Sequence, residues 1–442
     1  MDKKRILDIV EKERVKFVDM QFSDLLGMVK ALTIPVSKLG EALENNVWFD
    51  GSSIDGFTRI FESDMYLKPD INTFAVIPWT KGTENVTCRL ICDVYMPDGS
   101  MYAGSPRTVL KRQLAEASKL GYEFNVGPEL EFFLFKRENG IINPLPHDRG
   151  GYFDQSTDMA TEIRQEMTTA LQGLGIDVEA LHHEVADGQH EIDFRYGDAL
   201  TVADNVISFK YAIKTIAHKH GLHATFMPKP IAGINGSGMH VHQSFFRNGK
   251  NLFYNEKGKY HLSDLARHFV GGQLKHARAM TAVLNPIVNS YKRLVPGYEA
   301  PVYVSWANTN RSALIRIPRH TPGRENSTRC ELRSGDPTAN PYLVFAVMLA
   351  AGLDGIKNEI EPPATMEENI FELTEADLQL KEVTTLPVSL REALNVMNDN
   401  PIICAALGQT ALESYTYAKM IEWKDYSISV SQWELERYLE IY

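Results

Sequence analysis

The stretch from Asn235 to Ser244, Asn-Gly-Ser-Gly-Met-His-Val-His-Gln-Ser, constrains this chain more than any other. Its glycines permit backbone conformations and close approaches that other residues cannot make. The residues that follow alternate. A strand here puts His240, His242 and Ser244 on one face and Met239 and Val241 on the other. A glycine turn feeding a strand with two same-face imidazoles suits a ligand site, and equally a plain hairpin with two half-buried histidines.

Composition narrows the setting. At 442 residues the chain fits two to three domains, or one large domain with a satellite. An apolar fraction of 44% and a charged fraction of 23% are those of an ordinary globular protein. The net charge of −11 argues against a general nucleic-acid or membrane-surface binder, which relies on a basic face. An anionic substrate must then be held by locally concentrated arginine. Cys88, Cys92, Cys330 and Cys404 form neither a zinc spacing nor a disulfide framework, so a reducing cytoplasm is expected. The first residues lack the apolar core of a signal peptide. The longest apolar run, residues 342–353, stops at Asp354, too short for a membrane span, and reads as a buried helix.

Along the chain, a charged amphipathic helix is expected over 2–14 and a β-hairpin over 15–34. An aromatic-flanked, glycine-rich loop at 48–57 carries Asp50, Ser53 and Asp55. Strands near 73–77 and 88–95 complete a small α+β domain, 1–103. Ser105-Pro106 then caps the first helix of a larger domain, 104–442. There, strand 122–135 sets Glu129 and Glu131 opposite Leu130, Phe132 and Leu134. Glu191, Asp193 and Arg195 share another strand face, as do Arg329, Glu331 and Arg333. Helices are expected at 198–220 and 263–280, a Pro/Gly-interrupted loop at 291–300, and a capping-box helix from Ser431.

Strands that each present carboxylate or imidazole at period two can be gathered by a sheet into one charged groove. Packed carboxylates raise one another's pKa unless a cation neutralises them. Oxygen-rich ligands with an imidazole and no thiolate favour Mg²⁺ or Mn²⁺ over zinc. A second constellation is basic: Arg311, Arg316, Arg319, Arg324, Arg329 and Arg333 crowd one segment, with Arg293 just before it. Guanidinium groups bind carboxylate and phosphate bidentately, so this is an anion clamp or else a solvated basic surface. Strict alternation sets Arg311 and Arg316 on opposite faces, so a shared role needs a bulge or turn between them. Metal carboxylates with an arginine cluster suit phosphoryl transfer. No Gly-x-x-x-x-Gly-Lys-Ser/Thr occurs, so a P-loop is excluded.

Seven motifs, in order and nearly end to end, resemble type I glutamine synthetase. They are Asp50-Gly51-Ser52-Ser53, Gly127 to Glu131, Glu184 to Glu191, Asn235 to His242, Lys292 to Pro301, Asn310-Arg311-Ser312 and Glu331-Leu332-Arg333. The resemblance implies an α+β fold: a small N-terminal β-grasp domain, then a large α/β catalytic domain with a curved, barrel-like antiparallel sheet. It implies ATP-dependent ligation of ammonium to the γ-carboxylate of L-glutamate through a γ-glutamyl phosphate. Glu131, Glu184 and Glu191 match ligands of one divalent metal, and Glu129, His240 and Glu331 ligands of the second, Mg²⁺ or Mn²⁺. Glu179, His242 and Ser244 match nucleotide contacts, and Arg316 a phosphate or nucleotide contact. Asn235 and Gly236 match the pocket for the glutamate amino group, Arg293 and Arg333 its carboxylate contacts, and Arg311 a contact to both ATP and substrate. Asp50, with Ser53 beside it, matches the group a neighbouring subunit supplies to deprotonate ammonium; Glu299 matches the flap residue that closes that pocket. The implied assembly is a dodecamer of two stacked hexamers bridged by the terminal helix, with small regulatory proteins as a further class of partner.

One position departs from the adenylylated members. Asn369-Ile370-Phe371 stands where those have Asn-Leu-Tyr, and Phe371 has no hydroxyl to modify. The compact length and Arg59 resemble the α subtype, in which the matching arginine mediates feedback inhibition by glutamine. Two rivals share the fold. A ligase joining glutamate to an amine or polyamine would need a widened ammonium pocket, yet Asp50 and Glu299 are both present. A non-catalytic paralogue should have lost metal ligands, yet all six positions carry suitable side chains.

Overall fold

Two separate apolar cores organise the chain. In the computed structural model, which describes residues 1–45, 47–52, 54, 64–298, 300–381 and 383–442, the first core gathers side chains between Ile6 and Tyr102. The expected hairpin is there: Phe17–Ser23 pairs antiparallel with Val29–Pro35 and buries Val18, Met20 and Phe22. Phe17–Ser23 also pairs in parallel with Thr87–Tyr95. Asp64–Val76 and then the edge strand Val47–Asp50 complete a five-stranded mixed sheet. The helix Lys3–Lys12 covers it with Ile6 and Val10.

The second core lies beneath a curved, barrel-like sheet in the rest of the chain. Its spine is the long strand Glu123–Glu138, flanked by Met239–Arg247 on one side and Gln189–Phe194 on the other. Cys330–Leu332, Ile315–Arg316 and Trp306–Ala307 extend it one way, and Val178–His183 the other. Alternation works as expected: Leu130, Phe132, Leu134, Met239 and Val241 are buried, which turns Glu129, Glu131, His240 and His242 to the opposite face. The apolar run at 342–353 lies within the buried helix Pro341–Lys357. That helix crosses Asp264–Leu284 closely because both carry glycine. A Cβ on Gly272 would stand 2.2 Å from the Ala351 carbonyl, so only glycine fits there. Ser431 opens the terminal helix Gln432–Tyr438 with the expected capping box. Among the described residues no helix is long and apolar enough to cross a membrane.

The two parts are pinned together by charge. Arg107, only 4% exposed, donates to both Asp204 oxygens at 3.0 and 2.9 Å, to Asp93 at 2.7 Å and to Asp70 at 2.9 Å. Asp70 and Asp93 belong to the first sheet, whereas Asp204 belongs to the helix Ala199–Lys219. Asn340 adds a polar tie by donating to the carbonyls of Asp24 and Leu25 in the hairpin turn. Removing the guanidinium would leave carboxylates buried without their partner. Arg107→Leu should therefore cost about 3–5 kcal/mol in denaturant unfolding, with Arg107→Lys in between. A loss below about 1 kcal/mol, the range of a surface pair, would contradict this role.

Candidate active site

Cross-strand register brings the acidic residues together. Glu129 stands opposite His240, Glu131 opposite Glu191, and Glu331 opposite both His242 and Arg316. All lie on the sheet face turned from the apolar core, so they converge on one groove.

One half of the groove is built around Glu129 and Glu331. His242 Nε2 lies 2.7 Å from Glu129, and His240 Nδ1 lies 3.4 Å from Glu129 and 3.8 Å from Glu331. Arg333 donates to one Glu331 oxygen at 2.6 Å and Arg316 to the other. Arg329 donates to His242 Nδ1 at 3.0 Å. A guanidinium only donates, so Nδ1 must accept, and Nε2–H then donates to Glu129. Burial opposes ionisation of Glu129, but hydrogen bonds from His240 and His242 outweigh it and hold its pKa below the usual carboxylate range. Glu331 is likewise buried, and its imidazole and guanidinium neighbours His242, Arg333, His240 and Arg316 hold its pKa down.

In the other half, among the described residues, Glu184 and Glu191 are paired with an imidazole and with no arginine. His182 lies 3.4 Å from Glu191 and 3.7 Å from Glu184. Gln189 Nε2 and the Gly238 N–H donate to Glu131 at 2.8 and 2.9 Å. Burial, then the charges of Glu131, Asp193, Glu129 and Glu184, pushes Glu191 well above its ordinary pKa. Burial and Glu129 push Asp193 up to about 6. Such crowding of carboxylates, each offering oxygen and relieved by positive charge, fits a hard divalent cation.

Cavities adjoin both ends. One of ≈270 Å³ is lined by Asn125, Glu179, Asp193, Tyr196, His242 and Ser244, among others, and reaches Glu129. A tighter one of ≈20 Å³ is enclosed by Glu131, Asn235, Gly236, His240, Arg293 and Lys229, with Tyr298 and Ala300. Glycine makes it possible: a Cβ on Gly236 would meet the Pro228 carbonyl at 2.1 Å, and one on Gly238 the Arg293 guanidinium at 2.6 Å. A third, of ≈340 Å³, contains Arg311, Arg333, Asn310, Ser312 and Phe371. The buried Arg333 Nε has no partner among the described residues, which suits an incoming anion. Arg311 reaches this cavity from a turn in which Asn310 accepts from the Ser312 N–H. Arg316 follows on a separate short strand, so a turn does separate the two arginines.

Of the residues expected at the site, the six acidic and imidazole positions, Glu179, His242, Ser244, Asn235, Gly236, Arg293, Arg311, Arg316 and Arg333 are gathered around this groove and its cavities. Asp50 is not: it ends an exposed edge strand of the first sheet and lines none of these cavities. Ser53, Arg59 and Glu299 lie outside the described residues. His182, Gln189 and Lys229 were not anticipated, and Arg329 was noted only as one of the arginine cluster. Period-two spacing from Glu184 and Glu191 would have found the first two.

The glutamine synthetase β-grasp domain matches residues 14–97, and the glutamine synthetase catalytic domain matches residues 103–438. The chain is 52% identical over 442 residues to glutamine synthetase of Clostridium saccharobutylicum, covering 100% of this chain and 99% of the other. It is 51% identical over 445 residues to that of Thermus thermophilus, with the same coverage. The structure is similar to the ADP complex of GmaS, with a TM-score of 0.88 at 32% identity, covering 98% of this chain and 99% of that one. It is also similar to Plasmodium falciparum glutamine synthetase, with a TM-score of 0.88 at 26% identity and 99% of each chain covered. The chain belongs to the glutamine synthetase family, whose reaction is ATP-dependent formation of glutamine from glutamate and ammonia.

The raised pKa of Asp193 gives a signed prediction. Its folded pKa lies above the ordinary 3.8, so the stability carried by its proton is fully present below 3.8 and is lost as pH rises through about 6. Glu191 acts in the same direction. Relative to Asp193→Asn, the metal-free protein should lose thermal stability across that window, and Mg²⁺ or Mn²⁺ should reduce the loss. Identical pH curves with and without the cation would contradict the electrostatic account.

Proposed function

We propose that this chain makes L-glutamine from L-glutamate, ammonium and ATP through a γ-glutamyl phosphate. The observation that supports this most is the run of one sheet groove from a nucleotide-sized cavity, past six carboxylate and imidazole groups, to an arginine-lined cavity. We assign Glu131, Glu184 and Glu191 to one divalent cation and Glu129, His240 and Glu331 to a second, Mg²⁺ or Mn²⁺ by the hardness of the donors. Bound cations would neutralise the phosphate oxygens. ATP is held by Glu179, His242 and Ser244, with its phosphates toward Arg316 and Arg311. Asn235 and Gly236 receive the glutamate amino group, and Arg293, Arg333 and Arg311 hold its carboxylates.

The γ-carboxylate oxygen attacks the γ-phosphorus and ADP leaves, with Arg311 taking up the developing charge. Ammonium loses a proton to the partner subunit's Asp50, ammonia attacks the acyl carbon, and phosphate leaves. Glu299 accepts a proton and closes the pocket against water. The place of Asp50 at the end of an edge strand in the first sheet, outside the linings of these cavities, supports its service to a neighbour. Exposed Trp433, Leu439 and Ile441 on the terminal segment support contact with further copies, up to a dodecamer of stacked hexamers. The domain division falls at 103/104. Four free cysteines support a reducing cytoplasm. Arg59 carries feedback inhibition by glutamine.

ADP release measured with glutamate tests this reading. Ammonium should give ADP and glutamine in equal amounts, and Glu299→Ala should lose the amide product. Arg59→Ala should blunt inhibition by added glutamine while leaving turnover largely intact; an unchanged inhibition curve removes that role. Strong preference for a polyamine over ammonium would instead favour a sister ligase of the same fold.

A further inference from the structure

Behind the groove lies a second acidic and imidazole cluster that none of these steps uses. Asp148, His183 and His190 are buried, with ligand atoms within 4.8 Å of one another. It has the composition of a cation site but the wrong proton arrangement. Arg164, held by Asp158, stands 2.9 Å from His190 Nδ1. Because the guanidinium must donate there, His190 Nε2 carries a proton and has no lone pair for a metal. His183 faces two acceptors, Asp148 Oδ1 at 3.0 Å and the Glu184 carbonyl at 2.6 Å, so its ring donates from both nitrogens.

What the cluster does hold is a turn. Asp148 Oδ1 also accepts the Gly188 N–H at 3.0 Å, and Oδ2 accepts the Met159 N–H at 3.0 Å. Gly188 has φ +68°, and a Cβ there would press within 3.1 Å of the His147 nitrogen, so the turn packs directly on the segment carrying Asp148. One fully buried carboxylate thus grips the 184–191 hairpin at both ends of its turn: at Gly188 directly, and at Glu184 through His183. That hairpin carries Glu184 and Glu191. The Glu129, His240 and Glu331 half is supported instead by Arg316, Arg329 and Arg333.

We propose that Asp148 is the positioning residue for the Glu184 and Glu191 half of the groove, acting through His183 and the Gly188 N–H. The proposal rests on the two-cation reading above. Mn²⁺ titration of the metal-free protein, followed by electron paramagnetic resonance, tests it, with Glu191→Gln and Glu129→Gln marking which binding class is which. Asp148→Asn should weaken the class marked by Glu191→Gln roughly 10–100-fold and leave the other within about twofold. Unchanged binding, or equal weakening of both classes, would overturn it. If Asp148→Asn does not fold, His183→Gln decides in the same way, because it keeps a donor to Asp148 and loses the bond to the Glu184 carbonyl. A wild-type protein with only one class, or a Glu191→Gln variant that shifts neither, would sink the two-cation reading itself.

Discussion

Repulsion between carboxylates that the sheet forces together is the constraint on which this structure turns. Antiparallel pairing fixes Glu129, Glu131, Glu191 and Glu331 on one face, because their neighbours in sequence are committed to the apolar core. A one-residue slip would bury the charges and expose Leu130 and Met239, so the register is strongly specified. The chain answers the repulsion unevenly. Arginines and imidazoles hold the pKa values of Glu129 and Glu331 down, while burial and neighbouring carboxylates push those of Glu191 and Asp193 up. A net acidic protein thus concentrates its arginine where two carboxylates stay ionised and leaves others in want of a cation.

The same asymmetry runs through the supporting contacts. One half of the groove is braced by side chains that reach it directly from neighbouring strands, Arg316, Arg329 and Arg333. The other is braced from behind, by a buried carboxylate and an imidazole gripping the backbone of a turn. Glycines without a Cβ then let backbone and the Arg293 guanidinium close in on the charged face without steric conflict, as at Gly236 and Gly238.

Much of this was legible in the sequence, for a physical reason. Side chains alternate along a strand, so Glu129 and Glu131, or His240 and His242, declare a shared face without knowledge of the fold. Some helices announced themselves by an apolar run or a capping box, as at Pro341–Lys357 and Ser431. Strand pairing did not. Nothing local tells residue 129 that it will meet 240, or residue 131 that it will meet 191. The strand Val178–His183 is polar and half-exposed, so only the two-residue step back from Glu184 points to His182. Strands of two residues, such as Trp306–Ala307, carry no period at all. Lys229 sits between prolines, where no periodicity points to its place over the Tyr298 ring. The resemblance to a family supplied roles that spacing could not, above all for Asp50, which ends an edge strand of the first sheet.

Anomalous X-ray scattering from crystals grown with Mn²⁺ and ADP would test the central claim most directly. Two peaks are predicted, one bounded by Glu131, Glu184 and Glu191, the other by Glu129, His240 and Glu331. A single peak, or peaks away from these side chains, would contradict it.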